Sequence, residues 1–190
     1  MAKKNDKNND ILISIIVPVY NTSKYLVKCL DSIYAAIDND CEVIIVNDGS
    51  TDDSEKIIKD YISNLKNEVY KNNTVYIYKE NKGLADTKNV GIKRSRGKFI
   101  SVVDSDDRIN KNFYRDAREY LDKNDMVIYD LYTDYEDDPK YNHIIRAARE
   151  DCLDSKVSKF VHGAMQGSSC NKIIKKCIIF KVWYNSVFGQ

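Results

Sequence analysis

The stretch ILISIIVPVYN, residues 11–21, decides the fold of this chain. Its first seven residues, Ile11 to Val17, form a nearly continuous apolar and β-branched run. Such a run is typical of a strand that is covered on both faces in a parallel sheet. Beyond Asn21, apolar residues recur at helical spacing from Leu26 to Ile37. The stretch therefore predicts a buried strand followed directly by a helix.

The alternation of strand and helix continues along the chain. Further strands are predicted at Val43–Val46, Val75–Tyr78, Phe99–Val103 and Asp125–Tyr132, and further helices at 57–65, 84–95 and 113–121. Ser50 and Asp53 resemble a capping box for the second helix. Residues 133–150 predict a polar loop, and residues 151–183 regain helical character. Strands that alternate with helices indicate right-handed crossovers, so the predicted fold class is α/β, a Rossmann-like, mostly parallel open sheet flanked by helices.

Length, composition and charge fit one globular domain. The chain has 190 residues, of which 43% are hydrophobic, and its net charge is +1. A near-neutral chain has no overall attraction to nucleic acid, so no nucleic-acid partner is expected. Residues 1–10 predict a disordered tail and residues 11–190 a single domain. The five cysteines lack C-x-x-C spacing and the N-terminus lacks an apolar signal segment, which together predict a cytoplasmic location.

Chemistry is expected in the residues that directly follow the strands. In an open α/β sheet, ligands bind at the carboxyl ends of the strands, near the point where the strand order reverses. The candidate segments are Pro18-Val19-Tyr20-Asn21, Asn47-Asp48-Gly49-Ser50 and Asp104-Ser105-Asp106-Asp107. Neither G-x-G-x-x-G after the first strand nor G-x-x-x-x-G-K-[ST] is present, which disfavours a Rossmann dinucleotide site and a P-loop.

The segment 104–107 is a concentrated anionic edge. If Asp104 and Asp106 stay extended, they share one face at a separation of about 6.7 Å, and they repel each other unless a cation lies between them. Their hard oxygen ligands suit Mn²⁺ or Mg²⁺, which is commonly completed by substrate phosphates. The alternative for these acids is a turn that caps the next helix, and the alternative for Asp48 is an Asx turn beside Gly49.

Four motifs, taken in their order along the chain, carry a family resemblance. They are SIIVPVYN at 14–21, VNDGSTD at 46–52, NKGL at 81–84 with NVGI at 89–92, and DSDD at 104–107. The chain thereby resembles the family 2 glycosyltransferases, which have the GT-A fold. The resemblance implies metal-dependent, inverting transfer of a sugar from a nucleotide diphosphate donor to a glycan or lipid-linked acceptor, in the synthesis of a cell-surface polysaccharide or glycoconjugate.

The resemblance also implies roles for individual residues. Pro18, Val19, Tyr20 and Asn21 would line the nucleotide pocket, and Asp48 would accept the N3–H of uracil, which favours a UDP-sugar. Asp104, Ser105 and Asp106 would bind the nucleotide-sugar. Asp104 would lie near the ribose and the metal, and Asp106 would ligate Mn²⁺ or Mg²⁺ between the two phosphates. Lys88 stands where the family often has arginine, so it would meet a phosphate or the edge of the base as a point charge without bidentate geometry. The alternative for Lys88 is a solvated helix lysine.

The family pattern also includes a carboxylate, downstream of the metal motif, that deprotonates the acceptor. No acid follows Asn171 in this sequence, and Asp151, Asp154 and the acids at 136–138 come too early for the pattern. The expectation is a domain truncated at its C-terminus, and the alternative function is a non-catalytic or truncated nucleotide-sugar-binding module. An aspartate-nucleophile phosphatase and a sugar-phosphate nucleotidyltransferase fit less well, since neither explains Asp48. Residues 173–188 suit packing on the sheet or, alternatively, a peripheral position on the inner membrane face.

Overall fold

The structure is a computed structural model, and it describes residues 10–133, 140, 143–145 and 172–179. Its strands are β1 Ile13–Val19, β2 Cys41–Asn47, β3 Thr74–Tyr78, β4 Phe99–Val102, β5 Met126–Ile128, β6 Leu131–Thr133, β7 His143–Ile145 and β8 Lys172–Lys175. Its helices are α1 Ser23–Ala36, α2 Ser54–Ser63, α3 Glu68–Asn72, α4 Leu84–Arg94 and α5 Phe113–Leu121. Residues 1–9, which hold most of the predicted tail, lie outside the described residues.

A six-stranded sheet in the order β3-β2-β1-β4-β8-β5 forms the centre of the molecule. The neighbours among β1, β2, β3 and β4 pair in parallel, whereas β8 pairs antiparallel with both β4 and β5. The α/β class with a mostly parallel sheet flanked by helices is therefore confirmed. A separate antiparallel pair joins β6 to β7.

Strands β1 and β2 are buried on both faces, as the apolar run at Ile11–Val17 predicts for β1. All residues of β1 and β2 are buried. The odd-numbered residues of β1 belong to a core that includes side chains of α1 and α5, while Ile16 packs with Ile92 of α4 on the opposite face. Helices therefore cover both faces of the sheet.

Gly91 explains how α4 lies so close to β1. A Cβ atom added at Gly91 would lie 2.4 Å from Cγ2 of the fully buried Ile16. A glycine in mid-helix usually weakens the helix, but here it removes the side chain that would hold α4 away from the sheet. Close packing of α4 brings Lys88, on this helix, towards Asp104 after the end of β4.

A buried carboxylate joins β2 to the chain that enters β4. Glu42 is 1% exposed, and its Oε1 accepts hydrogen bonds from Ser14 Oγ at 2.6 Å and from the backbone N–H of Arg96 at 2.6 Å. Its Oε2 accepts Arg96 Nε at 2.8 Å. Burial on its own raises the pKa of Glu42, but these hydrogen bonds outweigh burial and hold the pKa below 4.5. The Glu42 carboxylate is thus ionised inside the sheet.

Several predicted elements differ from the structure. The predicted strand 125–132 is two strands, β5 and β6, and Lys172–Lys175 is strand β8 although 151–183 is predicted to be helical. His143–Ile145 pairs with β6 inside the predicted loop. The capping box at Ser50 is wrong because α2 begins at Ser54. In the part of the chain that the structure describes, no helix has the length and apolarity needed to cross a bilayer.

Candidate functional site

The strand order places a switch point between β1 and β4. The chain runs outward from β1 through β2 to β3 and then returns to the other side of β1 as β4. Because these four strands are parallel, their carboxyl ends lie at one edge of the sheet, which we call the carboxyl edge. Ligands of open α/β sheets bind at such an edge, next to the switch point.

Hydrogen bonds join the segments of the carboxyl edge to one another. The N–H of Asp48, which follows β2, donates to Val19 O at 2.8 Å. The N–H of Thr51 donates to Asn21 Oδ1 at 2.8 Å, and Thr22 Oγ1 donates to Ser105 Oγ at 2.8 Å. The last bond spans the switch point, since its two hydroxyls follow β1 and β4. The loops therefore form one continuous surface.

The residues predicted to follow β1 divide into two groups. β1 extends through Val19, so Pro18 and Val19 are buried strand residues and the predicted end of the strand at Val17 is wrong. Pro18 is tolerated because its nitrogen points towards β4, whose pairing with β1 ends at Ile16 and Val102. Tyr20, in contrast, is 48% exposed. Of these residues, Tyr20 presents a ring to solvent at the carboxyl edge.

Asn21 has a backbone conformation that few side chains adopt. Its φ is +52°, in the left-handed region where asparagine is tolerated better than most residues. The turn lets the Asn21 N–H donate to Ser50 Oγ at 3.1 Å while its amide oxygen accepts from Thr51. Asn21 thus fixes the loop after β1 against the loop after β2.

Asp48 is a buried acceptor rather than an Asx turn. It is 3% exposed, and its Oδ1 accepts Lys79 Nζ and the N–H of Lys82 at 3.0 Å. Its Oδ2 accepts the N–H of Gly83 at 3.0 Å. Burial raises the pKa of Asp48, but the Lys79 ammonium and the backbone N–H of Lys82 outweigh it and hold the pKa below 3.8. The neighbouring Asn47 makes the local bond instead, from Ser50 N to its Oδ1 at 2.9 Å.

Lys79 is a site residue that the sequence analysis missed. It follows β3 directly, and its ammonium lies between Asp48 and Asp86, 3.0 Å from Asp86 Oδ2. Burial lowers the pKa of Lys79, but the two carboxylates outweigh burial and raise it. The signal was available, because the end of β3 reaches the same carboxyl edge as the other three parallel strands. Lys79 compensates the charge of Asp48 and joins β3 to the first turn of α4.

Asp52 holds the first residues of two helices at once. Its Oδ2 accepts the N–H of Ser23, where α1 begins, at 2.9 Å, and its Oδ1 accepts the N–H of Ser54, where α2 begins, at 3.0 Å. Burial raises the pKa of Asp52, but hydrogen bonds from Ser54 and Ser23 lower it to about 2. The two helices that flank the loops after β1 and β2 are therefore fixed relative to each other.

Replacing Asp52 with alanine is expected to lower the free energy of unfolding by about 1–3 kcal/mol, because two helix N-termini lose an acceptor. The contribution of Asp52 is complete above the unfolded pKa of 3.8 and is lost as the pH falls towards 2. Urea denaturation at pH 7 checks the magnitude. Asp53→Ala is the matched control, since Asp53 makes no side-chain cap bond, and it should cost less than about 0.5 kcal/mol. Equal effects of the two changes would contradict this role.

Asp104 to Asp107 form a turn rather than an extended segment. The N–H of Asp107 donates to Asp104 O at 2.9 Å, so the predicted extended face of Asp104 and Asp106 is wrong. The turn does not cap α5, because that helix begins at Phe113. Helix capping, the alternative explanation for these acids, is therefore excluded. Asp106 is exposed, whereas Ser105 is buried and its hydroxyl is bonded to Thr22.

Lys88 reaches this turn from α4. Its Nζ lies 3.0 Å from Asp104 Oδ1, and the two side chains are 17% and 30% exposed. The alternative of a solvated helix lysine is wrong, because the ammonium lies against the carboxylate at the switch point. The structure thus brings Lys88 and Asp104 into contact, and bonds between the loops join this pair to Tyr20, Asn21 and Asp48.

The carboxylate oxygens of the turn fit a hard divalent cation. Asp104 and Asp106 offer carboxylate oxygens, and the contact with Lys88 shows that Asp104 already accommodates positive charge. Among the described residues, no three histidine, cysteine, aspartate or glutamate side chains gather into a metal site. Two carboxylates are enough for Mg²⁺ when phosphate oxygens complete its shell. The candidate bases Asp151 and Asp154 and the acids at 136–138 lie outside the described residues.

Comparisons with known proteins match most of the chain to one family. Residues 14–182 match the model of the family described as Glycosyl transferase family 2. The chain is 32% identical over 170 residues to the putative glycosyltransferase EpsH of Bacillus subtilis, which covers 88% of this chain and 48% of EpsH. It is 33% identical over 129 residues to the minor teichoic acid biosynthesis protein GgaB of the same organism, which covers 65% of this chain and 14% of GgaB.

A solved structure shows the same fold. The crystal structure of S. aureus TarS 1–349 in complex with UDP-GlcNAc is similar, with a TM-score of 0.66 and 25% identity, over 90% of this chain and 47% of that chain. The chain therefore spans about half the length of EpsH and of the TarS structure.

Proposed function

The chain belongs to glycosyl transferase family 2, and from that premise we propose that it is the donor-binding part of an inverting, metal-dependent glycosyltransferase that uses a UDP-sugar. The observation that carries this proposal is the Thr22–Ser105 bond across the switch point, which joins the loop bearing Tyr20 to the acidic turn. An exposed aromatic ring and an exposed carboxylate then share one edge, as a nucleotide and its diphosphate require.

The nucleoside end of the donor is proposed to lie over the loops after β1 and β2. Tyr20 presents a half-exposed ring on which the base can stack. Asp48 Oδ1 accepts two N–H groups and Oδ2 accepts one, so Oδ2 retains a lone pair for the N3–H of uracil. Because Lys79 and the adjacent amides keep Asp48 ionised, it accepts and does not donate. This favours uracil over a base that presents an acceptor there.

The diphosphate end is proposed to lie at the turn after β4. Asp104 and Asp106 would hold Mn²⁺ or Mg²⁺ there, and Ser105 would keep the turn in place through Thr22. When bound, the cation would act as a Lewis acid on the negative charge that develops on the departing diphosphate. The chain's own contribution is the position of two carboxylates on a turn fixed to the sheet.

The acceptor is proposed to be a growing cell-surface glycan or a lipid-linked intermediate, reached from the cytoplasmic side. The name of GgaB, a minor teichoic acid biosynthesis protein, supports this class of product. Family 2 membership supports a polysaccharide or glycoconjugate in the same way. A peripheral position at the membrane would bring the carboxyl edge to a lipid-linked acceptor.

Calorimetric titration with UDP, with and without Mn²⁺, tests the proposal. UDP is expected to bind roughly tenfold tighter or better with Mn²⁺, a difference of about 1.4 kcal/mol. CDP, whose cytosine N3 is an acceptor, is expected to bind more weakly than UDP under the same conditions. A flat UDP titration in both buffers would count against a donor site. Donor binding without transfer to any acceptor would favour the alternative of a nucleotide-sugar-binding module.

A further inference from the structure

The contact between Lys88 and Asp104 suggests an exchange of partners, and this inference rests on the proposed function of the site. We propose that Lys88 and the divalent cation compete for the Asp104 carboxylate, and that cation binding transfers the Lys88 ammonium to the diphosphate of the donor. One side chain would then oppose metal binding in the free protein and favour nucleotide binding in the loaded protein.

The Lys88 ammonium lies next to Asp104 Oδ1, where a cation bound to this oxygen would also lie. Its Nζ is 3.0 Å from Asp104 Oδ1, an oxygen buried from solvent. A cation that coordinates this oxygen would bring its charge within a few ångströms of the ammonium. At such a separation, two like charges repel appreciably in a partly buried site. The cation and the ammonium therefore exclude each other from Asp104 Oδ1.

The backbone of α4 is fixed while the lysine side chain can move. The helix begins after Gly83, whose N–H is bound by Asp48, and the Thr87 N–H donates to Gly83 O at 3.1 Å. Lys88 follows in the next position, so its Cα stays in place. Its flexible four-carbon stem lets the ammonium shift by several ångströms without any change in the helix. An exchange of partners thus needs only side-chain rotation.

The charges of the turn make the exchange favourable once a donor is bound. The turn carries three carboxylates, at Asp104, Asp106 and Asp107. A cation on the turn would raise the local positive charge, and a diphosphate would bring negative charge to the same place. Lysine binds phosphate oxygens well as a point charge. The displaced ammonium then has a strong acceptor within reach.

Lys88→Met tests the exchange, because methionine keeps an unbranched apolar stem and removes the charge. Titration of Mn²⁺ alone, followed by the paramagnetic resonance signal of the free ion, should show roughly fivefold tighter binding to the variant than to the wild type. UDP titrated at saturating Mn²⁺ should bind the same variant roughly fivefold more weakly. Opposite signs in the two titrations are the signature of the exchange.

Two further variants serve as controls. Lys88→Arg keeps the charge, so it should bind Mn²⁺ no tighter than the wild type and should retain most of the UDP affinity. Lys93→Met removes the same charge from the exposed last turn of α4 and should change neither affinity. The Lys93 variant thereby accounts for the loss of one positive charge from the same helix.

The outcomes separate this inference from the proposed function. If the wild type binds Mn²⁺ and UDP but Lys88→Met binds Mn²⁺ no tighter, the exchange is wrong and the donor site stands. If Mn²⁺ binding tightens but UDP affinity does not fall, Lys88 does not meet the diphosphate and the transfer is wrong. If the wild type binds neither ligand, both the exchange and the proposed function are wrong.

Discussion

Replacing Asp106 with asparagine is expected to remove most of the affinity that Mn²⁺ adds to UDP binding. Asp106 is exposed on the turn after β4, where the diphosphate of the donor is proposed to lie. Asparagine keeps the shape of the side chain but loses the charge that a hard divalent cation needs. The affinity for Mn²⁺ itself should fall on the order of 10²-fold, since even residues that merely orient a metal ligand are worth 10- to 100-fold. At a Mn²⁺ concentration that saturates the wild type, the variant should therefore lose most of the roughly tenfold gain in UDP affinity.

Asp107 is the matched control for Asp106. Asp107→Asn removes the same charge one residue further along the same turn, and its backbone N–H still closes the turn on Asp104 O. Calorimetry with UDP at saturating Mn²⁺ should show a change of only about twofold for this variant. An Asp106→Asn protein that binds UDP and Mn²⁺ as the wild type does would show that the metal assignment is wrong.

The largest expected effect on stability comes from Glu42→Ala. This change removes a carboxylate that is 1% exposed and that accepts bonds from the Ser14 hydroxyl and from Arg96. It leaves those donors without an acceptor next to Gly97, where the backbone packs so closely that an added Cβ would lie 2.6 Å from Ser14 N. The free energy of unfolding should fall by about 2–4 kcal/mol, because the Ser14 hydroxyl and the Arg96 N–H each lose their acceptor. The Arg96 guanidinium is 52% exposed, so the loss of its ion pair adds little.

Urea denaturation measures the effect of Glu42→Ala, and Glu55→Ala is the matched control. Glu55 makes an exposed ion pair with Lys59 within α2, so its loss should cost less than about 0.5 kcal/mol. Because the pKa of Glu42 lies below 4.5 in the folded protein, its charge-dependent contribution is complete above that pH and declines as the pH falls. The stability gap between wild type and Glu42→Gln should therefore narrow in acid. A gap that widens in acid would contradict an ionised Glu42.

Local sequence patterns were sufficient to predict the central parallel strands and the helices around them. β1 and β2 are buried on both faces, so apart from Ser14, Glu42 and Asn47 their residues form apolar runs that a short window detects. The helix at 84–95 was also predicted correctly despite Gly91, and the structure explains that glycine by its contact with Ile16. Each of these elements is specified by residues close together in the chain.

The elements that were predicted wrongly depend on distant partners. β8 is four residues long, and it exists because β4 and β5 both offer backbone bonds to it. A short apolar run flanked by lysines does not by itself distinguish a strand from a helix. β7 likewise needs β6 as its partner. Pairing over a long sequence separation leaves no local signal.

In the candidate site, too, local sequence predicts some features, whereas others depend on contacts that local sequence does not show. Reading the ends of the strands located Tyr20, Asp48 and the turn at 104–107, because parallel strands bring their carboxyl ends to one edge. The geometry of the turn was predicted wrongly, since its closing bond between Asp104 and Asp107 has no sequence signature. Lys79 is not in any of the candidate segments, although it follows β3, which pairs in parallel with β2 and therefore ends at the same carboxyl edge.

Paramagnetic broadening by Mn²⁺ in the presence of UDP tests most directly where the donor binds. The carboxyl edge lies far from the opposite edge, where the parallel strands begin, since the seven residues of β2 span about 20 Å. Binding at the carboxyl edge predicts strong broadening of the backbone amides of Thr22 and Ser105, relative to a Mg²⁺ reference. The amides of Asn39 and Asp40, which precede β2 at the opposite edge, should stay sharp. Broadening centred on Asn39 and Asp40, or absent from Thr22 and Ser105, would contradict a donor site at the switch point.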